Sequence, residues 1–482
     1  MRLSATVSRY WHTLRYLKPE QLAGRVWARL YLPSPSCSAP PPVRKFSGSW
    51  VPPAAREPSL VGEGRFEFLG VQGALPDVGW DSPKREKLWR YNQHYFDDLN
   101  ALGAAARADW HQALLLQWIQ ANPPAIGTGW EPYPTSLRIV NWVKWSLAGN
   151  AFSSACVHSL AVQARWLRRR LEWHLLGNHL FANAKALVFA GLFFDGPEAS
   201  AWFRCGCRIM RRELPEQILT DGGHFERSPM YHALALEDVL DLINLCRTSG
   251  HSNDAAGLLA LLEPRVAPML RWLQALCHPD DEIGFFNDAA IGIAPAPAEL
   301  LGYAARLGFQ ACQPSTPASA GFAADAFLNV TSLQPSGYVR IDAPKACALL
   351  DVAPIGPDYL PGHAHADTLS FELSAFGQRV FVNSGTSVYG ISAERLRQRG
   401  TAAHNTVIVN NRNSSEVWSG FRVARRARPV DLAIEETPDS VRVSCGHTGY
   451  QQTLKPPVTH VREWRMTASA LVIADELRAV VS

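Results

Sequence analysis

The chain has 482 residues, of which 47% are hydrophobic and 19% are charged, and this composition excludes a disordered protein. The length predicts two or three domains with large buried cores. The formal net charge is only +4, from 47 basic and 43 acidic residues, which excludes the concentrated basic surface of a nucleic-acid-binding protein.

The cysteines and the lengths of the apolar segments indicate which structural classes and cell compartments the sequence fits. The nine cysteines are an odd number without a CxxC pair, which favours neither a disulfide framework nor a zinc ribbon. No run of about 18 apolar residues occurs, so no transmembrane span is predicted. Residues 1–31 lack the uninterrupted apolar stretch of a secretory signal peptide. We therefore expect a cytoplasmic protein, with the periplasm or cell envelope as the alternative.

The first 62 residues predict a helical start followed by an extended segment. Apolar residues recur with helical spacing from Leu14 to Leu30. The prolines between residues 32 and 60 are too dense for a helix or a central strand, so this segment is expected to lie extended over the surface. Residues 65–70 alternate between polar and apolar and predict a short strand.

From about residue 87 to residue 310 the pattern is mainly helical, although no helical segment is predicted over residues 197–217. About eight segments with apolar residues at helical spacing alternate with short connectors. No fixed-period repeat is evident, so we expect helical hairpins packed as an array or toroid.

After about residue 320 the pattern changes to alternating and β-branched segments separated by turn residues. This pattern predicts stacked antiparallel sheets, a β-sandwich. The expected organisation is an N-terminal segment over 1–62, a helical domain over 63–318 and a β domain over 319–482. The last predicted strand runs to the end of the sequence, which raises the expectation that the β domain is incomplete at its C-terminus.

The densest polar motif is PGHAHADTLSFEL, which contains His363, His365 and Asp367. Side chains two residues apart in an extended chain point to the same face, so these three are expected to converge. Neutral imidazoles bind zinc, and His363 is alternatively a proton acceptor near neutral pH. A hydrogen-bonded turn without a function is the competing interpretation.

Two shorter motifs place histidine beside asparagine. In RGTAAHNTVIVNN, His404 and Asn405 precede a predicted strand, and a capped strand entry explains them as well as a functional role does. In LGNHLFANAK, Asn178 and His179 begin an apolar helix. An asparagine at a helix start is ordinarily a cap, but the adjacent histidine favours a functional site.

The segment DGGHFERSPMYHALALEDV crowds polar residues around a Gly-Gly turn at the start of a helix. This crowding suits a catalytic loop. The candidates here are Asp221, His224, Glu226, Arg227, Tyr231 and His232, with Arg227 and His232 as candidates for substrate binding.

The segment WEPYPTSLRIVNWVKW combines aromatic residues with an arginine. Aromatic rings stack on sugars and arginine pairs with carboxylates, which predicts a saccharide subsite. Core packing is the expected role of Trp142 and Trp145, whereas Trp130 and Arg138 are predicted to be exposed and to bind substrate.

Seven blocks, taken in this order, together resemble the heparinase II/III and alginate lyase superfamily. They are LWRYNQHYFDDL, WEPYPTSLRIVNW, GNHLFANAKAL, DGGHFERSPMYH, GFFNDA, HAHADTLSFEL and RGTAAHNTVIVN. The resemblance implies a multidomain α+β fold, with an N-terminal incomplete α/α toroid followed by a C-terminal antiparallel β-sandwich, in agreement with the periodicity. It also implies a polysaccharide lyase that cleaves a uronic-acid-containing acidic polysaccharide by β-elimination.

The resemblance implies a role for individual residues. Asn178 and His179 would neutralise the uronate carboxylate, Tyr231 would protonate the leaving oxygen at C4, and His363 would abstract the C5 proton. Tyr389 would be a further active-site tyrosine. The candidate site is richer in His, Tyr and Asn than in Asp and Glu, which favours elimination over hydrolysis by two carboxylates.

The resemblance also implies a structural zinc ion in the β domain. His365 and His404 match two of its ligands, and Asn383 stands where the third ligand is an aspartate in family members that bind the metal. A neutral amide is a poorer ligand than a carboxylate.

Two other functions remain open from the sequence alone. The HAHAD segment resembles the start of the zinc motif of metal-dependent hydrolases, although Thr368 stands where the next histidine would be. The chain could also be a non-catalytic glycan-binding or assembly partner in exopolysaccharide or O-antigen biosynthesis.

Overall fold

The computed structural model of the chain describes residues 2–250, 253–310 and 328–479. Its first part begins with two helices, α1 (Arg2–Leu14) and α2 (Pro19–Leu30). Residues 31–59 have no helix or strand apart from one bridge between Val43 and Phe194, because the prolines prevent regular hydrogen bonding. A small antiparallel sheet follows, made of β1 (Leu60–Gly62), β2 (Arg65–Phe68) and β3 (Val71–Ala74).

Ten helices come next and form the helical domain. They are α3 (Leu75–Val78), α4 (Lys87–Tyr95), α5 (Ala108–Ala121), α6 (Pro132–Leu147), α7 (Ser154–Arg169), α8 (Gly177–Phe193), α9 (Pro197–Gln217), α10 (Pro229–Thr248), α11 (Asn253–Ala275) and α12 (Pro297–Arg306). Helix α8 is buried on almost every face, which explains why its sequence is apolar all round rather than amphipathic. It packs against α6, α7, α9 and α10 and forms the centre of the toroid.

The second part consists of antiparallel sheets. The first sheet has five strands in sequence order, β4 (Asn329–Leu333), β5 (Tyr338–Ala343), β6 (Ala346–Asp351), β7 (Phe371–Ala375) and β8 (Gln378–Phe381). A short helix α13 (Ala393–Arg399) and a two-stranded ribbon of β9 (Val417–Trp418) and β10 (Arg422–Val423) follow. The second sheet has four strands, β11 (Pro429–Glu436), β12 (Val441–His447), β13 (Val458–Met466) and β14 (Leu471–Ala479).

The five-stranded sheet is covered on both faces. Val339 and Ile341 point into a core shared with Val443 and Trp464 of the four-stranded sheet. Their neighbour Tyr338 points the other way, into a second core. That second core joins the helical domain to the sheet and contains Trp272, Leu276, Phe286, Cys347 and Leu349. Side chains alternate between the two faces along the strands. One set therefore packs into the core of the sandwich, and the other packs against the toroid.

The structure confirms the predicted order of an α/α toroid followed by an antiparallel β-sandwich. Two local predictions were wrong. Helix α9 did not figure among the predicted helices, and the strand predicted after Asn405 is an irregular segment with a single bridge between Val409 and Arg412. The predicted boundary between residues 318 and 319 lies outside the described residues, as does Cys312.

No helix in the described part of the chain is long and apolar enough to cross a membrane. Seven of the cysteines within the described ranges are free, namely Cys37, Cys156, Cys205, Cys246, Cys277, Cys347 and Cys445.

Candidate active site

A cleft of about 370 Å³ opens where the helical domain meets a loop of the β domain. Tyr133 on α6, Asn178 on α8 and Tyr231 on α10 line it from the toroid. Tyr389, from the loop between β8 and α13, lines it from the β domain. Four of the residues predicted from the sequence thus line one cavity, because His224 of the Gly-Gly loop does so too. His179 and His363 do not line it but contact Tyr133 and Tyr231, which do.

The start of α8 presents Asn178 and His179. The preceding Gly177 has a φ of +53°, and a Cβ there would lie 2.3 Å from Leu360 Cδ2 and 3.2 Å from Glu226 Oε1. Only glycine fits this close approach without strain. The helix therefore begins with its first polar side chains directly against the β-domain loop that carries Leu360.

His179 is held by a buried carboxylate. Its Nδ1 donates to Glu172 Oε1 at 3.1 Å, and its ring lies 4.5 Å from that of Tyr133. Burial alone would lower the pKa of His179, but the charge and hydrogen bond of Glu172 raise it above its ordinary value. His179 is therefore an imidazolium over a wider pH range than a free histidine, which suits a partner for a substrate carboxylate.

Tyr231 stands one turn into α10, with its backbone N–H bonded to the helix cap Ser228. Its phenol ring stacks on the imidazole of His363 with centroids 3.9 Å apart, and its hydroxyl donates to the hydroxyl of Tyr389 at 3.3 Å. Burial and the neighbouring Tyr389 and Asp288 raise the pKa of Tyr231 well above its ordinary value. The phenol therefore keeps its proton at neutral pH, as a general acid requires.

His363 is oriented by Asp288. Its Nδ1 donates to Asp288 Oδ2 at 2.8 Å, and the same carboxylate is bound by the guanidinium of Arg395. Burial alone would raise the pKa of Asp288. The guanidinium of Arg395 and the hydrogen bonds from His363 and His365 instead hold this pKa well below its ordinary value. An ionised Asp288 fixes the proton of His363 on Nδ1 and leaves Nε2 free to accept one.

Glu226 lies on the other side of this imidazole, with Oε2 3.7 Å from His363 Nε2. The residue is 2% exposed, and neither carboxyl oxygen has a hydrogen-bond partner among the described residues. Burial raises the pKa of Glu226. The carboxyl thus closes the inner end of the site around His363.

A buried cluster of possible metal ligands lies behind His363. Ligand atoms of His365, Asp367 and His404 lie within 4.8 Å of one another, and His365 Nδ1 is 3.3 Å from His404 Nε2. His365 Nε2 donates to Asp288 Oδ1 at 2.8 Å, the arrangement in which a carboxylate orients a metal-binding imidazole. Burial and the nearby His365 lower the pKa of His404 well below its ordinary value, which favours the neutral form that binds metal.

Asn383 contacts this cluster from one side. Its Oδ1 accepts from His404 Nδ1 at 3.2 Å, whereas His365 faces the Nε2 of the same ring. In this geometry Asn383 contacts the nitrogen of His404 that does not face His365, and Asp367 is the carboxylate that lies near both imidazoles.

The prediction that Trp130 and Arg138 are exposed was wrong. Arg138 is 0% exposed, and its guanidinium donates to Gln163 Oε1 at 2.9 Å and to the Gly129 carbonyl at 2.8 Å while stacking on the Trp118 ring. Trp130 is 3% exposed and donates to the Asn122 carbonyl. Arg138 lies on α6, which is buried along nearly its whole length, and Trp130 ends the buried turn just before that helix. Neither side chain lines the cleft.

His232 and Arg227 also have structural contacts rather than the predicted contact with substrate. His232 is 0% exposed, its Nε2 donates to the Met269 carbonyl at 2.9 Å, and burial lowers its pKa to about 4. Arg227 Nε donates to the Ser336 carbonyl at 2.9 Å and so ties the toroid to the turn before β5. Neither residue lines the cleft.

Asp288 and Arg395 were missed from the sequence. Asp288 lies in the GFFNDA block that carries part of the family resemblance, so its position was visible but its role was not. Arg395 is on α13 and reaches Asp288 across 107 residues of sequence, and no local pattern marks it.

The fold and the cleft define a class of protein in which a helical toroid and a β-sandwich enclose a site of Asn, His and Tyr side chains. The family model for the heparinase II/III N-terminus matches residues 105–296, and the model for the heparinase II/III-like C-terminal domain matches residues 328–481. The two matches follow one another and together span most of the chain. The chain belongs to the heparinase II/III-like family.

Two curated relatives are heparin-sulfate lyases. The protein from Bacteroides stercoris is 28% identical over 281 residues, which are 54% of this chain and 40% of that protein. The protein from Pedobacter heparinus is 23% identical over 373 residues, which are 70% of this chain and 54% of that protein. The chain thus spans about half the length of these relatives.

Solved structures support the fold independently. A mutant heparan sulfate lyase from Pedobacter heparinus superposes with a TM-score of 0.55 at 20% identity, covering 86% of this chain and 67% of that one. A heparinase III structure gives a TM-score of 0.57 at 19% identity, covering 82% of this chain and 62% of that one. These likenesses show the fold.

Proposed function

We propose that the chain is a polysaccharide lyase that cleaves a uronate-containing polysaccharide by β-elimination. The observation that carries the proposal is the contact of His363 of the β domain with Tyr231 of the toroid, because Tyr231 lines the cleft together with Asn178. An acid, a base and a carboxylate-binding amide are thereby available to a single sugar ring. The heparin-sulfate lyases among the relatives support the same reaction class.

The first part of the proposed reaction is removal of the C5 proton. The amide of Asn178 and the imidazolium of His179 bind the uronate carboxylate and withdraw its charge, with each preorganised donor worth about 3 kcal/mol in the transition state. His363 Nε2 then takes the proton, because Asp288 holds the other ring proton on Nδ1.

The second part is loss of the leaving group. As the C5–H bond breaks, its electron pair forms the C4–C5 double bond and the C4–O bond breaks. Tyr231 donates its hydroxyl proton to the departing glycosidic oxygen, and Tyr389 supports that hydroxyl. The products are an unsaturated uronate and a free sugar hydroxyl.

The charges along the cleft favour a substrate with few or no sulfate groups. Three cations line it, and each is already paired: Lys144 with Asp241 at 3.0 Å, Lys185 with Asp238 at 2.7 Å, and Arg56 with Glu237. A sulfate group bound there would have to displace a carboxylate from its partner. Neutral amide and hydroxyl groups make up much of the remaining polar lining, and these suit sugar hydroxyls.

The experiment is an ultraviolet absorbance assay for the unsaturated uronate, run on one uronate polymer before and after chemical removal of its sulfate groups. The expected result is a steady increase in absorbance, faster on the desulfated polymer. Faster cleavage of the sulfated polymer would contradict the substrate preference alone. Folded protein that releases no unsaturated product from this pair or from non-sulfated bacterial and algal uronate polymers would contradict the lyase function.

We also propose that His365, His404 and Asp367 hold a zinc ion that stabilises the β-domain loops behind His363. When bound, the metal would supply structural cross-linking rather than a catalytic group. Metal analysis of the purified chain is expected to find zinc, and His404→Ala is expected to lose it with a lower melting temperature. A chain that neither contains zinc nor gains stability from added zinc would contradict this assignment.

A further inference from the structure

The consecutive helices α1 and α2, here called the N-terminal hairpin, each expose large apolar side chains. Trp11 is 64% exposed, Trp27 60% and Leu30 77%. The spacing of these side chains places them along one side of each helix. The large apolar residues exposed along the two helices include Trp11, Leu14, Leu22, Val26, Trp27 and Leu30. Large apolar patches on the surface of a monomer usually mark interaction sites.

The exposure is not a sign of poorly packed helices, because polar contacts fix the other side of the hairpin. Trp418 of the β domain donates to Thr13 at 3.1 Å, and Arg425 donates to Ser8 at 2.8 Å. On α2, Gln21 is 1% exposed and donates to the Tyr359 carbonyl at 3.3 Å. Each helix is therefore anchored to the body of the protein and turns its apolar residues outward.

Positive charge surrounds the apolar face. Over residues 2–32 the sequence has six arginines and lysines but one acidic residue, Glu20, which is paired with Arg212. Arg15, Arg25 and Arg29 have no carboxylate partner within the described ranges. Burial and the nearby Arg422 and Arg29 lower the pKa of Arg25.

The two helices share this charged surface through Arg422. Its guanidinium lies 5.6 Å from the ring centroid of Tyr10 on α1 and close enough to α2 to affect Arg25. The combination of tryptophan and leucine with flanking arginine is typical of helices that lie in a membrane interface.

We propose that the N-terminal hairpin docks the protein on an anionic lipid surface. Trp11, Trp27 and the aliphatic residues would enter the boundary between headgroups and acyl chains, while Arg25 and Arg29 pair with lipid phosphates. A second copy of the chain fits less well, because a twofold interface over this face would bring its unpaired arginines together.

The test uses the full chain with vesicles of phosphatidylcholine alone and of phosphatidylcholine with phosphatidylglycerol, separated by sedimentation. Binding to the anionic vesicles is expected, and it should weaken as salt is added. The double substitution of Arg25→Ala and Arg29→Ala should weaken binding about 30-fold. Trp11→Ser with Trp27→Ser should abolish it.

Phe376→Ser is the matched control, since Phe376 is 76% exposed on the turn after β7 and far from the hairpin in sequence. It should bind vesicles like the unchanged protein, and all variants should keep the same melting temperature. Failure of the folded chain to sediment with anionic vesicles would overturn the proposal. So would a dimer in light scattering that the Trp11 and Trp27 substitutions dissociate, because a second copy would then occupy the face.

Discussion

At the scale of single residues, the site depends on how its neighbours fix protons. Asp288 holds one proton on His363 Nδ1, and Glu172 keeps a proton on His179. Burial keeps Tyr231 protonated. Each of the three groups is therefore held in the protonation state that elimination needs before the substrate arrives.

The first prediction concerns the general acid. Tyr231→Phe removes the hydroxyl but keeps the ring that stacks on His363, so kcat should fall by about 100- to 10,000-fold while the melting temperature stays the same. Tyr389→Phe is the matched control, since it removes only the supporting hydrogen bond and should cost about tenfold. Equal losses in the two variants would contradict the assignment of Tyr231 as the acid.

The second prediction concerns pH. Because Glu172 raises the pKa of His179, the imidazolium persists below that raised pKa and is lost as the pH rises through it. Glu172→Gln should therefore move the alkaline limb of the kcat/KM profile to lower pH. In a His179→Asn background the same substitution should leave the profile unmoved, and a shift that persists there would show that Glu172 acts on another group.

At the scale of elements, the sequence predicted the helices whose apolar residues follow a regular period. It missed α9, where arginines alternate with Trp202, Phe203 and Cys207 and where Gly206 packs tightly against the backbone of α8. That contact is a tertiary effect with no local signal. The strand predicted after Asn405 is likewise overridden by a distant contact, because the Val407 carbonyl accepts a hydrogen bond from the side-chain hydroxyl of Tyr450.

The third prediction concerns the start of α8. Gly177→Ala adds a Cβ in a left-handed conformation and against Leu360, which should lower the free energy of unfolding by about 1–3 kcal/mol and displace Asn178. Gly292→Ala is the control, since Gly292 has a φ of +83° but no atom near its missing Cβ. Urea unfolding should find the larger loss at Gly177. A larger loss at Gly292 would contradict the close-approach argument.

At the scale of the whole molecule, the candidate active site exists only because two domains meet. The core of Trp272, Phe286 and Tyr338 holds the toroid against the five-stranded sheet. Asp288 comes two residues after Phe286 of this core in the chain. It contacts His363, which lies 75 residues further along the sequence. The sequence predicted the two domains and most of the catalytic candidates, because these lie in local motifs.

What the sequence could not predict is which of the polar and aromatic side chains of the toroid would be buried. Arg138, Trp130 and His232 sit in polar or aromatic motifs that resemble a binding site, yet the toroid encloses all three. Inward and outward faces of a helix in a multilayer toroid carry similar residues, so periodicity alone does not separate them.

The central claim is that Asn178, Tyr231 and His363 act on one sugar ring. A crystal structure of the Tyr231→Phe variant with a bound uronate oligosaccharide tests it most directly. We expect a uronate carboxylate within hydrogen-bond distance of Asn178 and His179, with C5 of the same ring facing His363 Nε2. An oligosaccharide bound with its carboxylate away from Asn178, or with no ring touching both domains, would contradict it.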